Sequence, residues 1–480
     1  MSFYSLAFLL FFIVLFALYY SPLRNVGKAQ NIILLAASYV FYGYANWKFL
    51  PLLAVITLGY YFLGLEIAKA AESKRANVLN TLGVVLGVGL LLYFKYLNFF
   101  VSSFAGLFEA MGLQTNLHTF KIIMPLGISF FIFKLISYIV EIYRGRIEPT
   151  RDIVAFSTFV AFFPCIMAGP IDRPGFIGQL EKRRDFDYDI AVEGCRQFIW
   201  GLFKKVAIAD NIVGCVDAAW GDGAALMPAG KLLVAAVLYS FQMYMDFSGY
   251  SDMAIGVGKA LGLRIAKNFN YPFFAVNVAD YWRRWHMSLT SWLTDYVFMP
   301  LNIKFRDWGK SGMIFAIIIN LVLVGMWHGD NWTYAVFGLY HGLLFVPLIL
   351  SGAFFKKAKI TTGRFGLPCL KDLGRILLTF MLVTIGLIIF RAPSVGSAFS
   401  YIGHLFSTSI LRFDLEPRHL QCFAFILVAM LVEWIQRKKE FALDLSGVKS
   451  VVLRYAIYLA VIMVTLVFAT DSSAFIYAQF

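Results

Sequence analysis

Long runs of apolar residues, separated by short polar loops, follow one another along almost the whole chain. A run of about 18–25 apolar residues is long enough to cross a bilayer as a helix. The pattern predicts an all-α polytopic membrane protein with about eleven transmembrane helices, because we expect one or two of the runs to be re-entrant or interfacial. The candidate spans are residues 3–20, 30–47, 50–68, 78–98, 122–143, 152–169, 230–250, 312–327, 332–352, 373–390, 419–436 and 451–470.

Basic residues cluster in alternate loops between these runs. Because lysine and arginine are enriched in cytoplasmic loops, the alternation predicts that these loops are cytoplasmic and that both termini are extracytoplasmic. The first run has no basic segment before it and no small-residue cleavage site after it, so we interpret it as a retained span rather than a removed signal peptide. The clusters are Arg24 and Lys28; Lys69, Lys74 and Arg75; Arg144, Arg146 and Arg151; Lys356, Lys357 and Lys359; and Arg437, Lys438 and Lys439.

Residues 170–310 depart from this regular pattern, because polar and aromatic residues interleave there and proline and glycine are frequent. Irregular backbone is tolerated at membrane depth only where protein buries it or where it lines a wet cavity. We therefore expect re-entrant and interfacial helices in this region, packed inside a ring of spanning helices.

Composition supports a membrane protein and narrows the choice of partners. Hydrophobic residues make up 60% of the chain, charged residues make up 15%, and the mean hydropathy is +0.73. Soluble domains carry about 45–50% apolar and about 25% charged residues. The formal net charge is +14, but the basic residues lie in short clusters beside apolar runs. We therefore expect the lipid bilayer as a partner, and no nucleic acid.

Glycine and cysteine patterns indicate packing rather than chemistry. Gly83 and Gly87 form a GxxxG pattern, which is typical of closely packed membrane helices. The chain has five cysteines, none of them in a CxxC pair and most of them in apolar surroundings. We expect buried small hydrophobes rather than a disulfide framework or a zinc site.

The histidines are the first candidates for catalytic residues, because an imidazole is costly near a bilayer and usually faces a cavity or a partner group there. His328 lies at the end of the apolar run IFAIIINLVLVGM. A neutral imidazole can accept a proton at physiological pH. Asp330 or Asn331 could orient the ring, and Gly329 would let a substrate approach the backbone closely. The alternative is a structural histidine whose ring is satisfied by a carbonyl at the helix end.

A second histidine, His286, lies in the segment DYWRRWHMSLTSWLTDYVF. If the segment is one helix, His286 shares a face with Trp282 and Leu289. Arg283 and Arg284 then point elsewhere, toward a phosphate, a headgroup or a carboxylate. The alternative is an interfacial amphipathic helix that tryptophan and arginine anchor.

Two carboxylates, Asp246 and Asp252, lie within or at the end of an apolar stretch in residues 239–262. Buried carboxylates must be paired, so we expect a structural role for both, with Arg283 or Arg284 as plausible partners. The glycines that follow do not match a GxGxxG or phosphate-binding loop. The sequence has no GxSxG and no HExxH, and no third ligand is evident for the two central histidines, so we expect no metal site.

Four segments of the chain are distinctive in combination. They are FFPCIMAGPIDRP at 162–174, YMDFSGYSDMAIG at 244–256, NFNYPFFAVNVADYWRRWHMSLTSWLTDYVFMPL at 268–301 and MWHGDNWTYAVFGLYHG at 326–342. With NIILLAASYVFYGYANWKFL at 31–50, they resemble the membrane-bound O-acyltransferase (MBOAT) family, in its branch of bacterial alginate O-acetyltransferases. The likeness extends over roughly residues 1–410. It implies a ring of helices around a tunnel that joins the two membrane faces. We interpret residues 1–480 as a single such domain, with core motifs in 160–342 and C-terminal helices in 373–470.

The resemblance also implies site residues. His328 corresponds to the histidine that is essential in the family. His286 corresponds to a second family position, which is histidine or asparagine in relatives. His328 would act as general base on the attacking hydroxyl, and His286 would bind the developing oxyanion or orient the donor. A covalent acyl-His328 intermediate is the open alternative. Arg283 and Arg284 would hold donor phosphates or shape the tunnel. The other implied tunnel residues are Trp285, Trp327, Asp330, Asn331 and Tyr250.

The reaction that the resemblance implies is O-acetylation across a membrane. An acetyl group would pass from a cytoplasmic thioester, acetyl-CoA, to a cell-surface or exported polysaccharide or to peptidoglycan, with no bound cofactor. We expect a separate extracytoplasmic partner of the SGNH-hydrolase type, or a polysaccharide synthase or export complex. The expected location is the bacterial cytoplasmic (inner) membrane.

Other functions stay open at this point. One is transfer of D-alanine from a carrier protein to teichoic acid, or of a long acyl chain to a lipid or protein. Another is a non-enzymatic transporter of a polymer or lipid, which would show no transfer from acetyl-CoA. A third is a structural scaffold for a synthase.

Overall fold

The computed structural model describes residues 1–21, 27–113, 119–221, 223–356, 358–363 and 366–469. The regular structure of these residues is helical, apart from an isolated β-bridge between Thr362 and Pro368. This confirms the predicted all-α architecture. Two of the basic residues used for the orientation, Arg24 and Lys357, lie outside the described residues, as does residue 470 at the end of the last predicted span.

The helices follow one another with short connections. The α-helices are α1 (Leu6–Tyr19), α2 (Gly27–Asn46), α3 (Leu50–Lys69), α4 (Lys74–Leu91), α5 (Leu97–Ala110), α6 (Ile128–Tyr143), α7 (Ile153–Ala161), α8 (Phe163–Ile166), α9 (Ile177–Leu180), α10 (Tyr188–Leu202), α11 (Asp210–Val216), α12 (Ala229–Ala260), α13 (Val278–Trp282), α14 (Met287–Leu293), α15 (Met299–Lys304), α16 (Gly309–His328), α17 (Trp332–Leu350), α18 (Leu370–Arg391), α19 (Val395–His404), α20 (Pro417–Ile435) and α21 (Val451–Val467). The π-helical segments are Leu92–Tyr96, Phe203–Ala209 and Thr294–Phe298. The 3-10 turns are Trp47–Phe49, Pro174–Phe176, Asp217–Trp220, Ala224–Leu226, Pro272–Phe274, Arg306–Trp308, Ala353–Phe355 and Thr408–Leu411.

Six helical segments in the described part of the chain are long and apolar enough to cross a membrane. They are Gly27–Lys69, Lys74–Ala110, Arg306–His328, Trp332–Leu350, Leu370–Arg391 and Pro417–Ile435. The first of them joins α2 and α3, which coincide with two predicted spans. The shorter apolar helices α1 and α21 coincide with the first and last predicted spans. A total of about eleven crossings stays a prediction.

One predicted span, residues 152–169, is wrong as a single helix. The structure has α7, which ends at Ala161, and the short α8, which begins at Phe163, with Phe162 outside the helical region (φ −49°, ψ 110°). Pro164 explains the break, because its ring lacks the N–H that a continuous helix needs and clashes with the preceding turn.

Contacts divide the chain into two compact units. One comprises Met1–Gly194 and Ala254–Ala266, and the other comprises Cys195–Met253 and Lys267–Phe480. The interpretation of the whole chain as one membrane domain stays a prediction. Both central histidines lie in the second unit.

In the first unit, α4 packs through its GxxxG glycines. A Cβ atom on Gly83 would overlap the side chain of Ile139, and one on Gly87 would overlap the hydroxyl of Tyr60. That hydroxyl donates a hydrogen bond to the Gly83 carbonyl at 2.6 Å. The pattern thus marks close helix packing, as predicted. Large apolar side chains elsewhere on α4 are exposed, as expected of a surface that faces lipid: Val78, Leu82, Val85 and Leu86.

Candidate active site

His328 is the last residue of α16. The helix ends there because Gly329 is fully extended (φ −177°, ψ −178°). Asn331 then caps α17: its side-chain oxygen accepts a hydrogen bond from the backbone N–H of Thr333 at 3.0 Å, and its amide donates to the carbonyl of Pro393 at 3.0 Å. Asn331 therefore holds the turn that follows His328. Orientation of the ring by Asp330 or Asn331 stays a prediction.

Gly329 lies in close contact with a side chain of α17. A Cβ atom at this position would overlap the ring of Tyr334, which in turn packs edge-on against Phe390 at 4.9 Å between ring centroids. The close approach to the glycine is therefore made by a protein side chain. The prediction that Gly329 lets a substrate approach the backbone closely stays a prediction.

The helix pair α16 and α17 packs closely at two further glycines. A Cβ atom on Gly325 would overlap the carbonyl of Tyr334, and one on Gly338 would overlap the carbonyl of Leu321. Neither position can carry a side chain unless the helices move apart. Gly325 lies about one turn before His328, so these contacts also fix the position of that ring.

His286 lies at a break in the chain between α13 and α14, not within one helix. Its backbone is left-handed (φ 45°, ψ 51°). Backbone hydrogen bonds hold the bend: Met287 N–H donates to the carbonyl of Asn268 at 2.8 Å, and Asn270 N–H donates to the carbonyl of Arg284 at 2.9 Å. The predicted continuous helix, with its single face for His286, is therefore wrong.

The side chain of Asn268 binds His286 directly. Its oxygen Oδ1 lies 3.0 Å from Nδ1 of His286. The same oxygen accepts hydrogen bonds from the backbone N–H of Ser288 at 3.3 Å and from the Ser288 hydroxyl at 2.8 Å. Its amide nitrogen donates to the Ser251 hydroxyl at 3.2 Å. Asn268 is 0% exposed, so these bonds form away from water.

The indole of Trp327 contacts both histidines. Its ring centroid is 4.9 Å from that of His328 and 5.5 Å from that of His286, in edge-on contacts. Phe247 packs against the imidazole of His286, with ring centroids 4.6 Å apart. Phe390 packs against the imidazole of His328, with centroids 5.0 Å apart. The two rings are 1% and 4% exposed. Burial lowers the pKa of His286, which lies outside the six long apolar segments, to about 3, so its imidazole is neutral at physiological pH.

A cavity of about 400 Å³ adjoins this site. Met287, which follows His286 in the chain, lines it, and so does one face of α16 that includes Asn320 and Val324. Helical spacing continues the same face to His328 one turn further on. The cavity therefore reaches α16 about one turn before His328, and its wall carries Asn320, Arg283 and Asp295 among mostly apolar surface.

The two arginines of the WRRWH segment have different surroundings. Arg283 is exposed, lines the cavity, and donates to the carbonyl of Phe354 at 2.8 Å. The guanidinium of Arg284 is paired with Asp280 at 3.0 Å. Arg283 thus reaches the cavity, whereas the charge of Arg284 is balanced within the protein. A donor-binding role for either arginine stays a prediction.

Asp246 and Asp252 are paired, as predicted, but not with these arginines. Asp246 lies 2.7 Å from Nζ of Lys205, and Asp252 lies 2.6 Å from Nζ of Lys204. The two lysines belong to the π-helical segment 203–209. The wider π-helical turn lets these neighbouring side chains both reach α12, which a sequence pattern based on 3.6 residues per turn does not predict.

A second cavity, of about 380 Å³, adjoins the turn after His328. Pro393, which accepts the hydrogen bond from Asn331, lines it together with Trp220 and Tyr401. These two rings stack with centroids 5.1 Å apart. Cavities thus adjoin both the α16 face that leads to His328 and the turn that follows it. A continuous tunnel between them stays a prediction.

The remaining predicted tunnel residues lie in varied surroundings. Trp285 is buried and packs against Tyr281 and Phe269, with centroids 5.5 and 5.1 Å away. Tyr250 is half-buried on α12, and Asp330 is exposed. Their roles in a tunnel stay predictions.

Cysteines and acidic groups do not form a metal centre in the described ranges. No cluster of three or more His, Cys, Asp or Glu side chains there could hold a metal ion. Cys165 and Cys422 are buried, whereas Cys195 is exposed. The sulfur of Cys422 lies 4.0 Å from that of Cys215, and neither is in a disulfide.

Comparison with known proteins decides the family. Residues 144–371 match the family model of the membrane-bound O-acyltransferases. A probable alginate O-acetylase, AlgI, from Azotobacter vinelandii is 39% identical over 414 residues, which cover 85% of this chain and 78% of the relative. The chain belongs to the membrane-bound O-acyltransferase family. This acyltransferase is a multi-pass membrane protein, as its apolar helices indicate.

Other relatives of the acyltransferase modify different polymers, according to their names. A peptidoglycan O-acetyltransferase from Helicobacter pylori is 33% identical over 398 residues, which cover 76% of this chain and 71% of the relative. A teichoic acid D-alanyltransferase from Streptococcus thermophilus is 29% identical over 275 residues, which cover 51% of this chain and 65% of the relative.

Sequence reasoning missed one residue of the candidate site and one pair of buried lysines that supports α12. One is Asn268, a single amide within an aromatic stretch, for which no periodic pattern gives a signal. The other is the pair Lys204 and Lys205. Two adjacent lysines in a largely apolar segment are costly unless carboxylates pair with them, and that rule could have linked them to Asp246 and Asp252.

Proposed function

We propose that the enzyme moves an acetyl group from acetyl-CoA in the cytoplasm to a hydroxyl outside the bacterial cytoplasmic membrane, for O-acetylation of a cell-surface or exported polysaccharide or of peptidoglycan. The observation that carries the proposal is the pair of buried imidazoles, His328 and His286, which both contact one indole near a cavity lined by Met287 and Val324. The alginate and peptidoglycan O-acetyltransferase relatives support the acetyl group and the class of acceptor.

His328 acts as the general base in this proposal. It takes the proton of the acceptor hydroxyl as the oxygen forms a bond to the acetyl carbonyl carbon. The carbon–sulfur bond of the thioester then breaks, and the proton passes from the imidazole to the leaving thiolate. General-base assistance is typically worth about 10²–10⁴ in rate. Phe390 and Trp327 pack on the ring of His328, which is 4% exposed, so the base lies away from bulk water.

The donor enters, in this proposal, through the cavity that Arg283 and Met287 line. An arginine at the cavity suits the phosphates of coenzyme A. The cavity at Trp220 and Pro393 serves the acceptor side. An extracytoplasmic partner of the SGNH type, or a synthase or export complex, receives the acetyl group or presents the polymer there.

The first test is His328→Ala in purified protein reconstituted into liposomes. We expect acetyl transfer from radiolabelled acetyl-CoA to fall by about 10²–10⁴, because the hydroxyl loses its base. The matched control is His419→Ala: His419 is also a buried histidine, but it takes part in the capping box of α20, and this variant should retain transfer. Activity of the His328 variant equal to that of the parent protein would refute the assignment.

Transfer of D-alanine to teichoic acid is the second candidate, and the similarity to the Streptococcus thermophilus enzyme favours it. Supplying the same liposomes with a D-alanyl carrier protein in place of acetyl-CoA separates the two candidates. If product forms only from the carrier protein, the enzyme transfers D-alanine and the proposal of acetyl transfer is refuted. The transporter interpretation has no support from the family, whose members transfer acyl groups.

A further inference from the structure

The contacts of Asn268 determine which nitrogen of His286 carries the proton. Oxygen and nitrogen of an asparagine amide are assigned from their hydrogen-bond partners. The backbone N–H of Ser288 can only donate, and it faces Oδ1 of Asn268 at 3.3 Å, while the amide nitrogen faces the Ser251 hydroxyl at 3.2 Å. Oδ1 is therefore the atom that lies 3.0 Å from Nδ1 of His286. Because an amide oxygen only accepts, Nδ1 of the imidazole must carry the proton.

We infer that Asn268 is a positioning residue that holds His286 in the Nδ1–H tautomer, so that Nε2 carries the lone pair and accepts a hydrogen bond from an N–H or O–H group of a substrate. The inference rests on the proposed function and refines it. Sequence reasoning left two roles open for His286, binding of an oxyanion or orientation of the donor. A neutral ring whose Nε2 carries the lone pair cannot donate to an oxyanion from that atom, so the orienting role remains.

The surroundings of the ring favour this neutral form. Phe247 and Trp327 pack on His286 and carry no charge, and burial holds the pKa of the imidazole at about 3. On the helices that pack against His286, three carboxylates are each paired with a lysine or an arginine, and a further titratable group is the imidazole of His328. They are Asp246 and Asp252 on α12, paired with Lys205 and Lys204; Asp280 on α13, paired with Arg284; and His328 on α16.

The decisive variant is Asn268→Asp. A carboxylate also accepts from Nδ1–H, so the tautomer is kept, but its charge stabilises the imidazolium and raises the pKa of His286. An imidazolium has no lone pair at Nε2. We therefore expect the ratio of kcat for this variant to kcat for the parent to be close to one at alkaline pH and to fall, by about tenfold, as the pH is lowered. A ratio that rises toward acidic pH would overturn the inference, because an oxyanion-binding histidine donates better when it is protonated.

Asn268→Leu removes the acceptor and keeps the branching of the side chain at Cγ. We expect kcat to fall by about tenfold or more, as for other residues that orient a functional imidazole, with KM changed by less than about twofold. Asn211→Asp is the matched control for Asn268→Asp. Asn211 is also buried, and its amide donates to backbone carbonyls such as that of Phe468. This control should keep the pH profile of the parent. A kcat for Asn268→Leu equal to that of the parent would count against a positioning role.

A direct readout does not depend on activity or on the stability of any Asn268 variant. Nitrogen-15 NMR of protein labelled at histidine reports which ring nitrogen is protonated, and the signals of His286 are those that His286→Ala removes. We expect a protonated Nδ1 and an unprotonated Nε2. The reverse pattern would overturn the inference even if His328→Ala abolishes transfer. Conversely, an active His328→Ala variant would refute the proposed function and leave the tautomer measurement standing.

Discussion

Lys204 and Lys205 are consecutive residues whose side chains are only 3% and 1% exposed. Lys205 lies 2.8 Å from Asp210 and 2.7 Å from Asp246, so one cation bridges two carboxylates. Removal of one partner from a buried ion pair typically costs about 3–5 kcal/mol, because the remaining charge stays buried without compensation. We expect Lys205→Met to lower the free energy of unfolding by about that amount, measured as an earlier thermal transition in detergent.

The control for this substitution is Lys231→Met. Lys231 pairs with Glu416 at 3.0 Å, but the two side chains are 28% and 62% exposed, and an exposed pair contributes about 0–1 kcal/mol. Equal shifts for Lys205→Met and Lys231→Met would contradict a stabilising role for the buried pairs.

At the scale of single residues, the sequence predicted which buried polar residues stand out better than it predicted the residues with which they pair. His328 was identifiable because a histidine at the end of an apolar run is rare and costly. The pairing of Asp246 and Asp252 was also predictable, since buried carboxylates need a cation. The identity of that cation was not, because it depends on the π-helical register of residues 203–209.

At the scale of elements, the close packing of α16 against α17 fixes the position of His328. Gly325→Ala places a methyl group against the carbonyl of Tyr334, so the helices must separate and His328 must move. We expect a lower thermal transition and at least a tenfold loss of transfer, because displacements of about 1 Å at a reacting group can cost about 10² in rate. Transfer assays and thermal unfolding on the same preparation measure both effects.

Gly374→Ala is the matched control for this element. Gly374 lies within α18, and a Cβ atom there would meet no other atom within 4 Å. Alanine is a better helix former than glycine by about 1 kcal/mol, so this variant should be as stable as the parent or slightly more so. A Gly325 variant that behaves like the Gly374 variant would show that the helices tolerate separation.

Long apolar helices such as α16, α17 and α18 were predictable because length and hydropathy alone specify them. The break at His286 was not. Its left-handed backbone is held by hydrogen bonds to Asn268 and Asn270, residues more than a dozen positions earlier in the chain. Periodicity describes contacts within a helix, and it cannot report a bend that a separate segment imposes.

At the scale of the whole molecule, the alternation of basic loops predicts that the segment after α17 is cytoplasmic and that the one after α18 is extracytoplasmic. Lys356 and Phe406, both exposed, lie in these two segments. In a background without the native cysteines, we expect a membrane-impermeant thiol reagent added to intact spheroplasts to label Phe406→Cys and not Lys356→Cys. The opposite labelling would invert the orientation, and with it the side from which the donor enters. Labelling of both positions after the membrane is permeabilised is the control.

The indole of Trp327 touches both imidazoles, and this shared contact makes the two rings mechanically dependent. A ligand that displaces one imidazole therefore acts on a ring that the other imidazole also touches. We expect occupancy at one histidine to affect the position of the other without a change of fold. Under the proposed transfer from a cytoplasmic thioester to an acceptor outside the membrane, such coupling would favour an ordered sequence of arrivals over a random one, and would limit wasteful hydrolysis of the donor while the acceptor is absent.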